Sequence, residues 1–321
     1  GGFPCQGFSL AGPRKVNDKR NKLYKHLKQA IKDTNPKFFV AENVKGFVSI
    51  GEEYKKVYNK RLKKFVRRSA GPFFKDGKII KLGKTAKAII DELGKIGKGK
   101  IGKGYNVQCQ LLNAKDYGLP QDRERIFIVG VRQDLVDKGI KFTFPKPTNG
   151  PDNYVTMRDY DVDDVPVNSD DIFTEEEEEK IDYFGSRYMS RNRVKEWDEV
   201  SFTIPAEAQQ VPAQPGTKMW NTPDGKPPGK KKPRDSDASP YTKNRLKQTW
   251  PQFRKQHEKL ISKDLKRLSY KQCAKIQGFD PEEWEFSGKL ISQYRQIGNA
   301  VPPPLMKEIA KQIKGCLKKE K

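Results

Sequence analysis

Cysteine and histidine are scarce in this chain, with four of one and two of the other in 321 residues. Cys5, Cys109, Cys273 and Cys316 lie far apart, and no pair has metal-ligand spacing. With His26 and His257 equally isolated, neither a zinc site nor a disulfide framework is expected. A chain without disulfides fits a reducing cytosol. Long apolar runs are also missing, so no membrane span is predicted. Acidic residues are in deficit: 41 Asp and Glu face 65 Lys and Arg, a net charge of +24. An imbalance of that size predicts a polyanionic partner, with nucleic acid the first candidate. A lysine-rich surface that only keeps the chain soluble is the plainer alternative, since charge says nothing about fold. At 34% the hydrophobic fraction is low but still globular, and the length suits two domains.

What is present alternates between strand-like and helix-like segments up to about residue 145. A helix is expected from about Lys19 to Asp33, with Asp18 as cap, an apolar stripe of Leu23, Leu27, Ala30 and Ile31, and Asn35-Pro36 as stop. Lys37 to Val44 reads as a short buried strand. Lys55 to Arg68 carries eight basic residues and no acidic one, and its apolar spacing suggests an irregular basic helix. Another helix is predicted from Thr85 to Ile96. A basic Gly-Lys repeat follows to Gly104, then strands at Tyr105 to Leu112 and Arg125 to Val131. This alternation predicts an α/β sheet. Residues 211 to 240 are rich in Pro, Gly and Lys and read as linker. From Lys226 to Lys271 there are fifteen Lys and Arg against four Asp and Glu. Leu268 to Gly278 looks helical, and Pro302 to Leu317 forms a final amphipathic helix.

Four short segments stand out. Pro4-Cys5-Gln6-Gly7-Phe8-Ser9 places a cysteine in a Gly-rich loop, although a lone cysteine is usually inert. Glu42-Asn43-Val44 ends a buried strand, where an α/β sheet carries its active site, or where a carboxylate merely caps a turn. Gln121-Asp122-Arg123-Glu124-Arg125 leads into a strand, and two arginines at spacing two point the same way on extended chain. Surface ion pairing is the alternative there. Gln296-Ile297-Gly298-Asn299-Ala300-Val301-Pro302 precedes the closing helix and, alone, is only a turn and a helix start.

Together and in this order, GGFPCQGFS, AENV, QDRER and QIGNAVPPPL closely resemble the motifs of the DNA (cytosine-5) methyltransferase family. The resemblance runs from residue 1 to about 132 and resumes from about 189 to the end. It implies a Rossmann-like α/β fold that uses S-adenosylmethionine, with a smaller irregular target-recognition domain. The implied division is a catalytic domain over 1–147, a recognition domain with its basic linker over 148–265, and a return to the catalytic domain over 266–321. It also implies roles. Cys5 would be the nucleophile that adds to cytosine C6, because C5 by itself is too poor a nucleophile to take a methyl group. Glu42 would hold the N3 and N4 edge, and Arg125 would lie on O2. Arg123 would lie near the DNA backbone and the cysteine loop. Pro4, Asn43 and Gln121 would be structural, with Asn43 positioning the loop, while Gln6 and Ser9 would contact DNA. Gln296, Asn299 and Val301 would line the donor site near its amino-acid end. No metal is implied. The partner would be double-stranded DNA with the target base flipped out.

The family's Phe-x-Gly-x-Gly segment, which cradles the donor, is not found before the cysteine loop or after the last helix. The expectation from sequence is therefore a chain inactive alone, either truncated or completed by a second polypeptide. A non-catalytic DNA-binding remnant is the alternative. In the variable region, Tyr188 to Val194 and Trp197 to Ile204 resemble bacterial enzymes that methylate GGCC. The likeness to DNA enzymes there speaks against the tRNA-methylating branch. Arg191 and Arg193 are candidates to read guanine or, equally, to bind phosphate. Gln209 stands where that subgroup has another arginine, and a glutamine more often reads adenine.

Overall fold

The computed structural model describes residues 2, 23–49, 55–59, 64–68, 73–75, 78–97, 104–174, 193–218 and 265–320. Contacts divide the chain into two compact units. One comprises residues 1–113, 124–146 and 307–321, and the other residues 114–123 and 147–306.

The first unit is built on a three-stranded sheet of β1 (Phe38–Val44), β6 (Tyr105–Asn113) and β7 (Glu124–Arg132). Its order is β1-β7-β6, with β7 antiparallel to both neighbours. β1 and β6 therefore run the same way, and the chain crosses between them through helix α2 (Lys84–Gly94). As the central strand, β7 is buried from Ile126 to Val131, which explains its unbroken apolar run. β1 alternates instead, burying Phe39, Ala41 and Asn43. Ala86, Ile89 and Leu93 of α2 pack against the sheet, as their spacing predicts. Gly130 sits opposite Phe39, and a Cβ there would stand 2.0 Å from the Phe39 ring. The missing side chain lets that ring lie across β7 and meet Tyr105 edge-on at 5.2 Å.

Two expectations fail in this unit. Helix α1 spans Tyr24–Thr34 with Leu23 at its N-cap position, and the expected start at Lys19 with Asp18 as cap lies outside the described residues. Its Ala30 is exposed and outside the apolar stripe, whereas Ile31 is buried. The stop is as expected, since Asn35 adopts the left-handed conformation that ends a helix. The second failure is the basic segment, which forms strands β2 (Lys55–Asn59) and β3 (Lys64–Arg68), paired antiparallel, rather than a helix. Lys-Lys-Val-Tyr and Lys-Phe-Val-Arg are rich in β-branched and aromatic residues, and that local preference outweighs the loose helical spacing. Two short strands, β4 (Phe74–Lys75) and β5 (Lys78–Ile79), pair nearby in sequence.

The second unit contains α4 (Tyr270–Gln277), α5 (Leu290–Asn299) and the first residues of α6 (Pro303–Lys318), while a five-residue helix α3 (Gln133–Asp137) belongs to the first unit. Ser269 caps α4 with a reciprocal capping box to Gln272. Helix α5 was not foreseen, because QIGNAV reads as a turn when taken alone. Tyr294 and Ile297 anchor α5 in the core beside Ile276 and Ile204. The Tyr294 ring stacks on Phe173 at 5.7 Å, and its hydroxyl donates to the Leu268 carbonyl at 2.9 Å. Among the described residues no helix is long and apolar enough to cross a membrane.

Candidate active site

In the first unit, register decides which charged groups meet. Val44 lies opposite Arg125 and Glu42 opposite Phe127, so Glu42 and Arg125 share one sheet face as diagonal neighbours. The Arg125 Nε donates to Glu42 Oε1 at 3.0 Å, with both side chains largely buried. A second Arg125 donor, Nη1, is held by the carbonyl of Glu124 at 2.8 Å. The Glu124 carboxylate is bound by Lys45 at 2.7 and 2.9 Å, and Lys45 also lies over the Phe74 ring. Lys45 was missed by sequence reasoning, although it follows directly on Glu42-Asn43-Val44. Buried Asn43 accepts the Val44 N–H on its side-chain oxygen, which fixes the turn that leaves the strand. Gly2 forms a parallel backbone bridge with Glu42, and a Cβ on Gly2 would lie 3.4 Å from Glu42 Oε2. Gly2 thus lies beside the carboxylate. Pro4, Cys5, Gln6 and Ser9 lie outside the described residues.

The other three cysteines are poor nucleophiles. Burial pushes the Cys109 thiol up to about 12 and also raises those of Cys273 and Cys316. Among the described residues no group of His, Cys, Asp and Glu could hold a metal.

In the second unit, Gln121 and Arg123 are buried and hydrogen-bonded to main chain. Arg123 Nη1 donates to Ile204 O at 2.8 Å, and Nη2 donates to Gly298 O at 2.7 Å and Ala300 O at 3.0 Å. Arg123 is 1% exposed, and its guanidinium joins the backbone at Ile204 to that at Gly298 and Ala300. Arg123 and Arg125 therefore serve different partners despite their spacing. Lysine has one compact ammonium in place of the planar fork. Replacing Arg123 by lysine is expected to cost about 2–4 kcal/mol of stability, read as a lower urea midpoint at unchanged slope. Gln296 and Asn299 stand exposed on the last turn of α5, three residues apart, and Val301 is half-buried just beyond. Gln296 Nε2 is held by Ser287 O at 2.8 Å and Ser292 Oγ at 3.2 Å, so its carbonyl oxygen is the end it can offer. A helix C-terminus with two side-chain amides suits an ammonium or a hydroxyl group. Arg193 is half-buried and donates to Gln210 O at 3.2 Å and Gln210 Oε1 at 2.7 Å. The backbone of Gln209 lies in the short 3-10 turn Ala208–Gln210. Arg191 lies outside the described residues.

The sequence model of C-5 cytosine-specific DNA methylases matches residues 1–66 and 79–315. The chain belongs to the C-5 cytosine-specific DNA methylase family. It is 36% identical over 327 residues to the type II methyltransferase M.MthTI of Methanothermobacter thermautotrophicus, covering 98% of this chain and 77% of that one. It is 34% identical to M.BsuRI of Bacillus subtilis, again over 98% of this chain but 57% of the relative, so it spans little more than half of that protein. The structure of the Entamoeba histolytica methyltransferase EhMeth superposes with a TM-score of 0.53 at 14% identity, over 99% of this chain and 76% of that one. The fold is thus the Rossmann-like one of S-adenosylmethionine-dependent methyltransferases. Within a methylase of this family the antiparallel β7 is an integral strand of the sheet, and it carries Arg125 to the face of Glu42.

Proposed function

We propose that this methylase transfers a methyl group from S-adenosylmethionine to C5 of a cytosine flipped out of duplex DNA, with Cys5 adding to C6. The observation that carries this reading is the Glu42–Arg125 pair with Gly2 bridged to Glu42. Two residues, Phe3 and Pro4, separate Gly2 from Cys5, and the three peptide links keep the Cys5 Cα within about 11 Å of the Gly2 Cα. The Cys5 thiolate bonds to C6, and electrons move toward N3 and O2. Glu42 would face the N3–N4 edge, where a carboxylate oxygen accepts a hydrogen bond from the N4 amino group and stabilises the proton that N3 takes up as the thiolate adds. Arg125 meets the negative charge that grows on O2. C5 then takes the sulfonium methyl, loses its proton to a base, and the C6–sulfur bond breaks to free Cys5. The base must leave the stack for C6 to be reached.

Gln296, Asn299 and Val301 would hold the donor, which supplies an electrophilic methyl group on a sulfonium. Their amides and the adjoining helix end fit its polar amino-acid portion. Arg191, Arg193 and Gln209, with Gln6 and Ser9, would contact DNA. For Arg193, reading a base would require exchange of its Gln210 hydrogen bonds. The excess of 24 positive charges supports binding to the phosphate backbone.

Incubating the full-length protein with donor and duplex DNA containing 5-fluorocytosine is the direct test. Fluorine at C5 cannot leave as a cation, so the enzyme is expected to stay bonded to the DNA. The adduct should survive denaturing electrophoresis and disappear in Cys5→Ala. An adduct that persists in Cys5→Ala would refute the assignment of the nucleophile.

A further inference from the structure

Gln277 is fully buried at the end of α4, and none of the four motifs contains it. Its orientation is fixed by a chain of donors and acceptors within the second unit. The Ile204 N–H can only donate, and it points at Gln121 Oε1 at 3.0 Å. Gln121 must therefore turn its Nε2 the other way, where it donates to Gln277 Oε1 at 2.8 Å and to Ile276 O at 3.2 Å. Gln277 in turn can only present its Nε2 to the Ala300 carbonyl, at 2.6 Å. That carbonyl also receives Arg123 Nη2 at 3.0 Å. Ala300 thus carries two buried donors between Asn299 and Val301, at the point where α5 ends and the chain bends toward α6.

We infer that Gln277 is a positioning residue for the donor side of the site, setting Asn299 and Val301 through the Ala300 carbonyl. The inference rests on the proposed placement of the donor at those two residues. A backbone carbonyl with a single charged donor can rotate about its neighbouring torsions. Two donors from different elements fix its direction, and with it the two residues on either side. The requirement is specific: the group at 277 must accept from Gln121 and donate to Ala300, which among similar shapes an amide or a protonated carboxyl can do and a methionine or a carboxylate cannot.

Two variants test this by hydrogen exchange of the free protein and by binding of S-adenosylhomocysteine, which is the donor after loss of its methyl group. In Gln277→Met, amide exchange at Asn299 to Val301 should accelerate about tenfold while the α4 amides of Cys273 to Ile276 stay protected. S-adenosylhomocysteine should bind about tenfold more weakly, with duplex DNA affinity within about twofold of the parent. Gln277→Glu should bind like the parent at low pH, where its carboxyl is protonated and donates to Ala300. Its affinity should fall as pH rises and the proton is lost, a dependence that a mere packing role would not create. Parent-like exchange and binding in both variants would overturn the positioning role and leave the donor reading intact. If exchange responds as expected but the parent binds no S-adenosylhomocysteine, the placement of the donor falls, and this role toward it falls too.

Discussion

Gly298→Ala is expected to destabilise the second unit by about 3 kcal/mol or more, against the direction that helix propensity alone would give. Gly298 lies in α5, where alanine would ordinarily gain roughly 1 kcal/mol over glycine. Here the added Cβ would stand 2.1 Å from Pro205 O, 2.3 Å from Pro205 C and 2.4 Å from Ala206 N. All three are backbone atoms, so no rotamer change relieves the contact. Carbon and oxygen need about 3.4 Å, so α5 and the 205–206 segment must separate by roughly an ångström. That movement pulls on the Gly298 carbonyl, which accepts from Arg123 Nη2 at 2.7 Å. The same guanidinium also holds Ile204, the residue just before the strained pair. Overpacking and a weakened buried hydrogen bond therefore add, and together they exceed the propensity gain. Chemical denaturation should show a lower midpoint at unchanged slope. A midpoint equal to or above that of the parent would mean that the close approach carries no stability.

Gly298 lies within the fourth motif, yet its close packing against Pro205 and Ala206 is not legible there. Strand β7 was readable because a central strand must be apolar on both faces, and Ile126 to Val129 leaves little alternative. Helix α2 was readable from its three buried positions. The segment 55–68 misled because its apolar residues are too few to fix a period, and its β-branched and aromatic content was underweighted. At the site, Glu42 and Arg125 were legible as chemistry before their register was known. Their diagonal pairing follows only from β7 running antiparallel to β1, which depends on long-range strand pairing. Arg123 shows the opposite limit. Its spacing of two from Arg125 suggested that both point the same way, yet β7 begins at Glu124, and the residue before a strand need not follow the strand's alternation. Gln277 and Lys45 carry no signal of their own. Their importance arises from partners 23 and 79 positions away.

Glu42→Gln is expected to lower kcat by about a thousandfold while leaving KM for DNA nearly unchanged. The substitution keeps shape and much of the local bonding, since the amide oxygen can still accept from Arg125 Nε, which now sits 3.0 Å from the carboxylate. The fold should therefore survive, and a thermal midpoint within a few degrees of the parent checks that. What changes is the preference for one protonation state of the base. A glutamine can donate to N3 and accept from the N4 amino group, so it matches neutral cytosine well. In the proposed mechanism N3 becomes basic as the Cys5 thiolate adds to C6, and it takes a proton. A carboxylate then gains a charge-assisted hydrogen bond, whereas the amide faces the new N–H with a donor of its own. Ground-state binding is thus retained and transition-state binding is lost, which is the pattern of a fall in kcat without a rise in KM. Lowering the pH should not rescue Glu42→Gln, because the amide has no proton to gain in that range. Arg125→Lys should fall less steeply, since an ammonium still offers positive charge near O2 but gives up the fixed Nε contact to Glu42. Activity of Glu42→Gln within tenfold of the parent would show that the carboxylate only braces Arg125, and the catalytic role would have to move to another residue.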